Sequence, residues 1–210
     1  VRPSDLLGER DRERIEAAVR EAERGTAGEI VVAVVRACDE YGSAGWRLAA
    51  LLAALALLGV AIVAPDLRLA AILGVQVAAV ALAHAVARVP AIRRLLVSEA
   101  QLQASAEREA LRAFAQHGVR KTRAGTGILI FVALFERRVV VLGDEAVERA
   151  LGPDESFAQV VELVLSGIRR RSAADGIVEA VERCGAILAR VLPPEADDRD
   201  EIPRGLVLED

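Results

Sequence analysis

Charge is almost missing from the middle of this chain. Of its 27 basic and 31 acidic side chains, only Asp66 and Arg68 fall between residues 48 and 87. A uniform globular protein is not divided this way, so the 53% hydrophobic composition averages a greasy segment with an ordinary polar domain. The division excludes a simple soluble enzyme, a disordered chain and a disulfide scaffold. Cysteine is scarce as well. Cys38 and Cys184 stand alone, outside any metal or redox spacing, as suits a reducing compartment. Aromatic residues make up 3% of the chain, and single Trp46 and Tyr41 provide no stacking surface. With a formal net charge of −4, nucleic acid is excluded as a partner. The basic residues are arginines apart from Lys121, which reads as compositional bias and not as a phosphate-binding design. No GxSxG, P-loop or HExxH pattern occurs, and the two histidines lie in a hydrophobic run and at a helix end.

The hydrophobic segment reads as a transmembrane helical hairpin. A helix over residues 46–64 is ~28 Å long at ~1.5 Å per residue, against a bilayer core of ~30 Å. A second uncharged run covers 69–87 and contains Gln76 and His84, eight residues apart and so near one helix face. They read as a membrane polar pair, either a proton-handling contact or helix–helix glue. Pro65, Asp66, Leu67 and Arg68 form the turn. The charge-dense first 25 residues do not resemble a cleavable leader. Arg36, Arg47, Arg88, Arg93 and Arg94 flank the open end of the hairpin and Arg68 alone its closed end. The positive-inside bias therefore predicts an integral protein of the inner or plasma membrane, with two transmembrane helices and both termini cytoplasmic.

The polar parts predict an α/β fold: a small α/β/α sandwich with a three- or four-stranded mixed sheet, interrupted by that hairpin. Ile15, Ala18, Val19 and Ala22 mark one face of a helix over 9–24 that stops at Gly25. Residues 29–36 have a continuous apolar core between Glu29 and Arg36, and 128–135 are apolar throughout, as in strands buried on both faces. Residues 139–142 form a third strand, antiparallel to the second across Glu136, Arg137 and Arg138. Strands one and two are joined by a long crossover containing a helix over 98–117, which favours parallel pairing. Asp144 caps a short helix through Ala150, and two amphipathic helices follow, separated by an Asp175-Gly176 turn. Cys184 lies on the apolar stripe of the second. Residues 1–45 and 90–194 are thus expected to form one discontinuous cytoplasmic domain around a hairpin at 46–89. Residues 195–210, with seven acidic and two basic groups, read as an acidic disordered tail.

The polar elements, in order, resemble the TPM domain. The resemblance rests on Ala27-Gly28-Glu29-Ile30-Val31-Val32 after an amphipathic helix, on Ala110 to Gly118 with Phe114, on Thr126-Gly127-Ile128-Leu129-Ile130-Phe131-Val132 followed by Glu136-Arg137-Arg138-Val139-Val140-Val141, and on Asp175-Gly176. Members include a thylakoid lumen phosphatase-like protein, a photosystem II repair protein and an accessory protein of acetylcholine receptors. The chain departs from the family in its inserted hairpin and in Gly143-Asp144-Glu145-Ala146-Val147-Glu148. That stretch keeps only the first glycine and last glutamate of a Gly-Tyr-Gly-Leu-Glu-like segment. The resemblance implies either a membrane-anchored module that binds or assists another membrane component, or a phosphatase-like hydrolase acting at the membrane surface with Ca2+ or Mg2+. The partners expected are the lipid bilayer and another membrane protein.

Hard cations need oxygen ligands. Asp39 and Glu40 after strand one and Glu136 after strand two are the metal candidates, because open parallel sheets bind ligands beyond their strand ends. Asp144 and Asp154 are more remote. No catalytic residue is identified. Strand one is expected to end near the bilayer, which would make Arg137 and Arg138 the lipid-contacting residues. Arg169, Arg170 and Arg171 suit a helix C-terminus.

Overall fold

Two strands buried along their whole length form the centre of this computed structural model, which describes residues 2–117, 119, 126–151, 156–193 and 205–210. β1 (Glu29–Val35) and β2 (Gly127–Ala133) are parallel neighbours, in register from Glu29 opposite Gly127 to Val35 opposite Ala133. β3 (Arg138–Gly143) runs antiparallel to β2, and β4 (Leu206–Glu209) runs parallel to β1. The sheet order is β3-β2-β1-β4. The expected mixed sheet is therefore present, with four strands.

The side-chain alternation of a strand sorts the central residues onto two faces. Ile30, Val32 and Val34 with Ile128, Ile130 and Val132 pack in one core with side chains of α2 (Glu9–Glu23), α8 (Ala158–Arg169) and α9 (Ala173–Val191). Val31, Ala33 and Val35 with Leu129, Phe131 and Ala133 pack on Ala106, Ala110, Ala113 and Phe114 of α6 (Glu99–Gln116). Alanines at spacings of four and three residues let this helix lie close to the sheet. Matching threonines hold the strand entries. Thr26 Oγ1 donates to the Leu192 carbonyl at 2.7 Å, and Thr126 Oγ1 donates to the Ala27 carbonyl at 3.0 Å.

Three details differ from the sequence reading. Residues 206–209 are strand and not solvated tail. Leu206 is buried in the core, and Asp210 accepts hydrogen bonds from the Ser4 amide (3.0 Å) and hydroxyl (2.7 Å). Those bonds hold the Asp210 carboxyl below its usual range. The acidic composition concealed the alternate apolar residues that face inward once β1 offers its open edge. Second, Asp175 and Gly176 belong to the first turn of α9 and do not separate two helices. A Cβ on Gly176 would lie 2.7 Å from Gly167 Cα and from the Leu163 carbonyl oxygen, so α8 and α9 meet backbone to backbone there. Third, a short α1 (Pro3–Leu6) precedes α2, and β2 ends at Ala133, with 134–137 as the turn. Asp144 caps α7 (Glu145–Ala150) as expected, accepting the Glu145 amide at 2.8 Å.

These elements belong to one compact unit, Val1–Cys38 with Gln103–Asp210; Asp39–Leu102 form a second. The second unit contains α3 (Gly42–Val63), α4 (Leu69–Ala87) and α5 (Pro90–Leu95), and its α3 and α4 pack as a helical hairpin. Both hairpin helices are long and apolar enough to cross a membrane.

Leu206→Asp should lower unfolding stability by about 2–4 kcal/mol, the range for losing a buried leucine and burying a polar group in its place; a denaturant melt of unchanged slope checks it, since a solvated tail gives no change. Gly176→Val should cost about 1–3 kcal/mol through overpacking, with Gly176→Ala intermediate in the same melt.

Candidate functional site

The C-terminal ends of β1 and β2 lie at one edge of the sheet, where parallel folds place their ligands. Beyond Val35 and Ala133 the ladder continues irregularly: Leu134 N–H donates to the Val35 carbonyl and Phe135 N–H to that of Arg36, both at 3.0 Å. Glu136 follows, fully buried, and its Oε1 accepts the Cys38 amide at 2.9 Å. Its carboxylate thus ties the β2–β3 turn to the chain leaving β1. Arg137 then adopts a left-handed conformation (φ 56°), which reverses the chain into β3 and leaves its own side chain exposed. Arg138, half-buried, opens β3.

Beside this turn is a cavity of about 290 Å³. Its walls are Leu6 of α1, residues 132–134 and Val139 of the strands, and Leu165 and Ile168 of α8. The guanidinium-bearing residues Arg137, Arg138 and Arg169 line it as well. Arg169 also pairs with Glu162 one side of α8 away. Sequence reading placed Arg169 with its neighbours at a helix end. That is where it sits, but its nearness to the β2–β3 turn follows from the packing of α8 on the sheet and has no local signal.

Of the metal candidates, Asp39, Glu136 and Asp144 each accept a backbone amide with a side-chain oxygen. Asp39 and Glu40 are exposed residues of the second unit. Asp39 Oδ1 accepts the Tyr41 amide at 3.2 Å, shaping the turn in which Tyr41 takes a left-handed conformation before α3. The Glu40 carbonyl accepts from Arg93 Nη1 at 3.2 Å. Glu136 spends an oxygen on Cys38, and Asp144 is a helix cap; Asp154 lies outside the described residues. Among the described residues no group of three or more His, Cys, Asp or Glu side chains gathers to hold an ion.

Within the hairpin, Gln76 and His84 share a shallow groove along α4 with Val77, Val80 and Ala81. His84 Nδ1 lies 3.0 Å from the Val80 carbonyl oxygen one turn back, and its ring meets Trp46 of α3 edge to face at 4.8 Å between centroids. That contact joins the two helices. Cys184 is fully buried in the core, and burial pushes its thiol up to about 12.

The fold and this edge define a class: an open α/β sandwich with a buried carboxylate bracing its strand ends and an arginine-lined apolar cavity beside the first hairpin turn. The family model of the TPM domain matches residues 85–187 of the chain. The match takes in the end of α4, α5, α6, β2, β3, α7, α8 and most of α9, but leaves out α2 and β1, which precede the hairpin. Among solved structures, the chain is similar to the BA42 protein of the psychrophilic bacterium Bizionia argentinensis, determined by NMR. The TM-score is 0.59 and the identity 18%, with 96% of this chain and 94% of that one covered. That likeness concerns the fold. Comparison with curated proteins gives no match.

Glu136→Ala should destabilise the fold by about 1–3 kcal/mol, because the Cys38 amide loses its acceptor in a buried setting. Asp39→Asn and Glu40→Gln should stay within about 0.5 kcal/mol, as exposed positions do; thermal melts in the presence and absence of Mg2+ check both statements. In native protein at pH 7.5 a maleimide should modify Cys38 and leave Cys184 untouched until denaturant is added, as read by mass spectrometry.

Proposed function

We propose that the α3–α4 hairpin tethers this TPM domain to a lipid bilayer, where the domain binds or assists another membrane component from the cytoplasmic side. The observation that carries this reading is the outward face of the hairpin. Leu51, Leu55, Leu57, Leu58, Ile62 and Val63 on α3 are more than half exposed, as are Leu69, Leu73, Val77 and Leu82 on α4. In a core helix such side chains point inward. An exposed apolar surface of this extent is stable in hydrocarbon and a liability in water. The 22 residues of α3 give ~33 Å of helix, enough for a bilayer core of ~30 Å with some tilt.

Orientation follows from the arginines. Five flank the open end of the hairpin and one, Arg68, its closed end, so the domain lies on the cytoplasmic side. Arg137 and Arg138, at the sheet edge from which the chain leaves β1 for the hairpin, meet anionic headgroups in this reading, each adding on the order of 1 kcal/mol. A binding role is favoured over hydrolysis because the acidic residues near the strand ends serve turns, caps and a backbone amide.

The experiment is impermeant-maleimide labelling in intact cells, with Cys38→Ala and Cys184→Ala as background. Asp66→Cys should label from outside, and Arg10→Cys, on exposed α2, only after permeabilisation. The opposite pattern reverses the orientation. Extraction of the unmodified protein by alkaline carbonate removes the tether from consideration.

A further inference from the structure

We infer that β3 is a dimerisation edge: it pairs antiparallel with β3 of a second copy of this chain, centred on Val141, and joins two four-stranded sheets into one. The inference goes beyond the membrane tether and does not rest on it, because every residue it uses belongs to the folded unit that contains the sheet.

The backbone of β3 has one free side. The Asp144 amide donates to the Gly127 carbonyl at 2.8 Å, and the register runs from Gly143 opposite Ile128 to Arg138 opposite Ala133. In an antiparallel pair, successive residues alternate between bonding the neighbouring strand and facing away from it. Arg138, Val140 and Leu142 therefore turn their backbone N–H and C=O to β2, as Asp144 does, and Val139, Val141 and Gly143 turn theirs outward. Among the described residues, none of those three has a hydrogen bond on the outer side. The opposite edge of the sheet, that of β1, is filled by β4. Natural edge strands are protected by a proline, a bulge or a charge in mid-strand. β3 has none of these between Arg138 and Asp144: it reads Val-Val-Val-Leu-Gly, pairs with β2 without a break and is half-buried along its length. Its outward groups and apolar side chains are a template for another strand.

Symmetry and charge select a second copy as the occupant. The outward residues Val139 and Gly143 lie either side of Val141 at equal spacing. An antiparallel copy thus sets Val141 opposite itself and Val139 opposite Gly143 of the second copy, and each such pair exchanges two N–H···O bonds. The same register brings opposite charges together at the strand ends. Arg138 comes opposite Asp144 of the second copy, and Arg137 opposite its Glu145. This matching is one of sign, whatever each group also binds within its own chain, where Asp144 caps α7 and Glu145 pairs with Arg149. A parallel copy in register would set like charges side by side at both ends. Phe157 and Val147 approach Gly143 from the side of its absent Cβ, so they lie over the face of the sheet and not across this edge.

The test is the mass of the full-length protein in micelles of a non-ionic maltoside detergent, by sedimentation equilibrium. A single strand pairing falls in the size class of weak associations, so the protein is titrated over about 1–100 μM. A reversible monomer–dimer equilibrium is expected. Val141→Pro removes an outward N–H and no bond to β2, a change that edge strands tolerate. It should weaken the dimer at least tenfold while the monomer still melts cooperatively. Glu145→Arg should weaken it at least threefold, and adding Arg137→Glu should restore it to within twofold. Register is read by disulfides in a Cys38→Ala and Cys184→Ala background. Val140 and Leu142 of the second copy face each other as a non-hydrogen-bonded pair, with about 4.5 Å between Cα atoms, within disulfide reach. A mixture of Val140→Cys and Leu142→Cys proteins should form covalent dimers on mild oxidation, and neither variant alone should. A mass that stays that of one chain overturns the inference. So does a dimer undiminished by both Val141→Pro and Glu145→Arg, or crosslinking as strong in one cysteine variant alone as in the mixture. Should Val141→Pro fail to fold, the charge exchange and the crosslinks decide. The detergent bears no charge and the hairpin is untouched, so failure here leaves the membrane tether standing, and loss of the tether leaves the dimer testable in buffer.

Discussion

The structure depends on the parallel pairing of β1 with β2. Neither strand has an exposed residue, and their alternate side chains supply the centre of both cores. Burying a strand on both faces removes water as an alternative partner for its backbone, so the ladder from Glu29–Gly127 to Val35–Ala133 has to be complete. The strands that flank this pair are less buried and take its open edges: β3 through a tight turn, β4 from far along the chain. Because the paired strands lie on opposite sides of the hairpin in sequence, the domain closes only when its two segments meet. Closing so long a loop adds little entropy cost, which grows only logarithmically with length.

The same pairing sets the chemistry at the sheet edge. Parallel strands end together, so the turn after β2 and the chain leaving β1 are neighbours. Glu136 occupies that junction as a buried acceptor for the Cys38 amide. Its position beyond a strand end is what a catalytic or metal-binding acid would show, and here its Oε1 braces the chain leaving β1. The arginines follow one and two places later. With Arg169 they line the apolar cavity beside α8, so one short turn provides a structural carboxylate and part of a cationic rim.

Much of this was legible in local pattern. The two continuous valine- and isoleucine-rich runs could be read as strands buried on both faces because burial on both sides leaves no polar alternation. The hairpin was evident because nineteen uncharged residues in succession have few other stable uses. The helix stripes at Ile15 and Val19, and at Val181, Cys184 and Leu188, are core positions as the 3.6-residue period requires. Asp144 was readable as a cap for the same reason: its bond is to the next residue's amide.

What remained hidden depended on contacts between distant residues. The acidic composition of residues 195–210 pointed to solvent, yet Leu206 and its neighbours form a strand because β1 presents an unfilled edge 174 residues earlier. Asp175-Gly176 looked like a turn by residue type, and only the approach of α8 explains why a helix interior needs a glycine there. The partition of Glu136 inward and Arg137 outward was likewise a matter of tertiary placement, since all three residues of that turn are equally charged in sequence. Periodicity and hydropathy reside in each segment, and so the sequence by itself determined the elements, their faces and the membrane-competent hairpin. Burial of a charge, the filling of a sheet edge and the convergence of arginines on a cavity are properties of pairs far apart in the chain, and only the tertiary structure decided them.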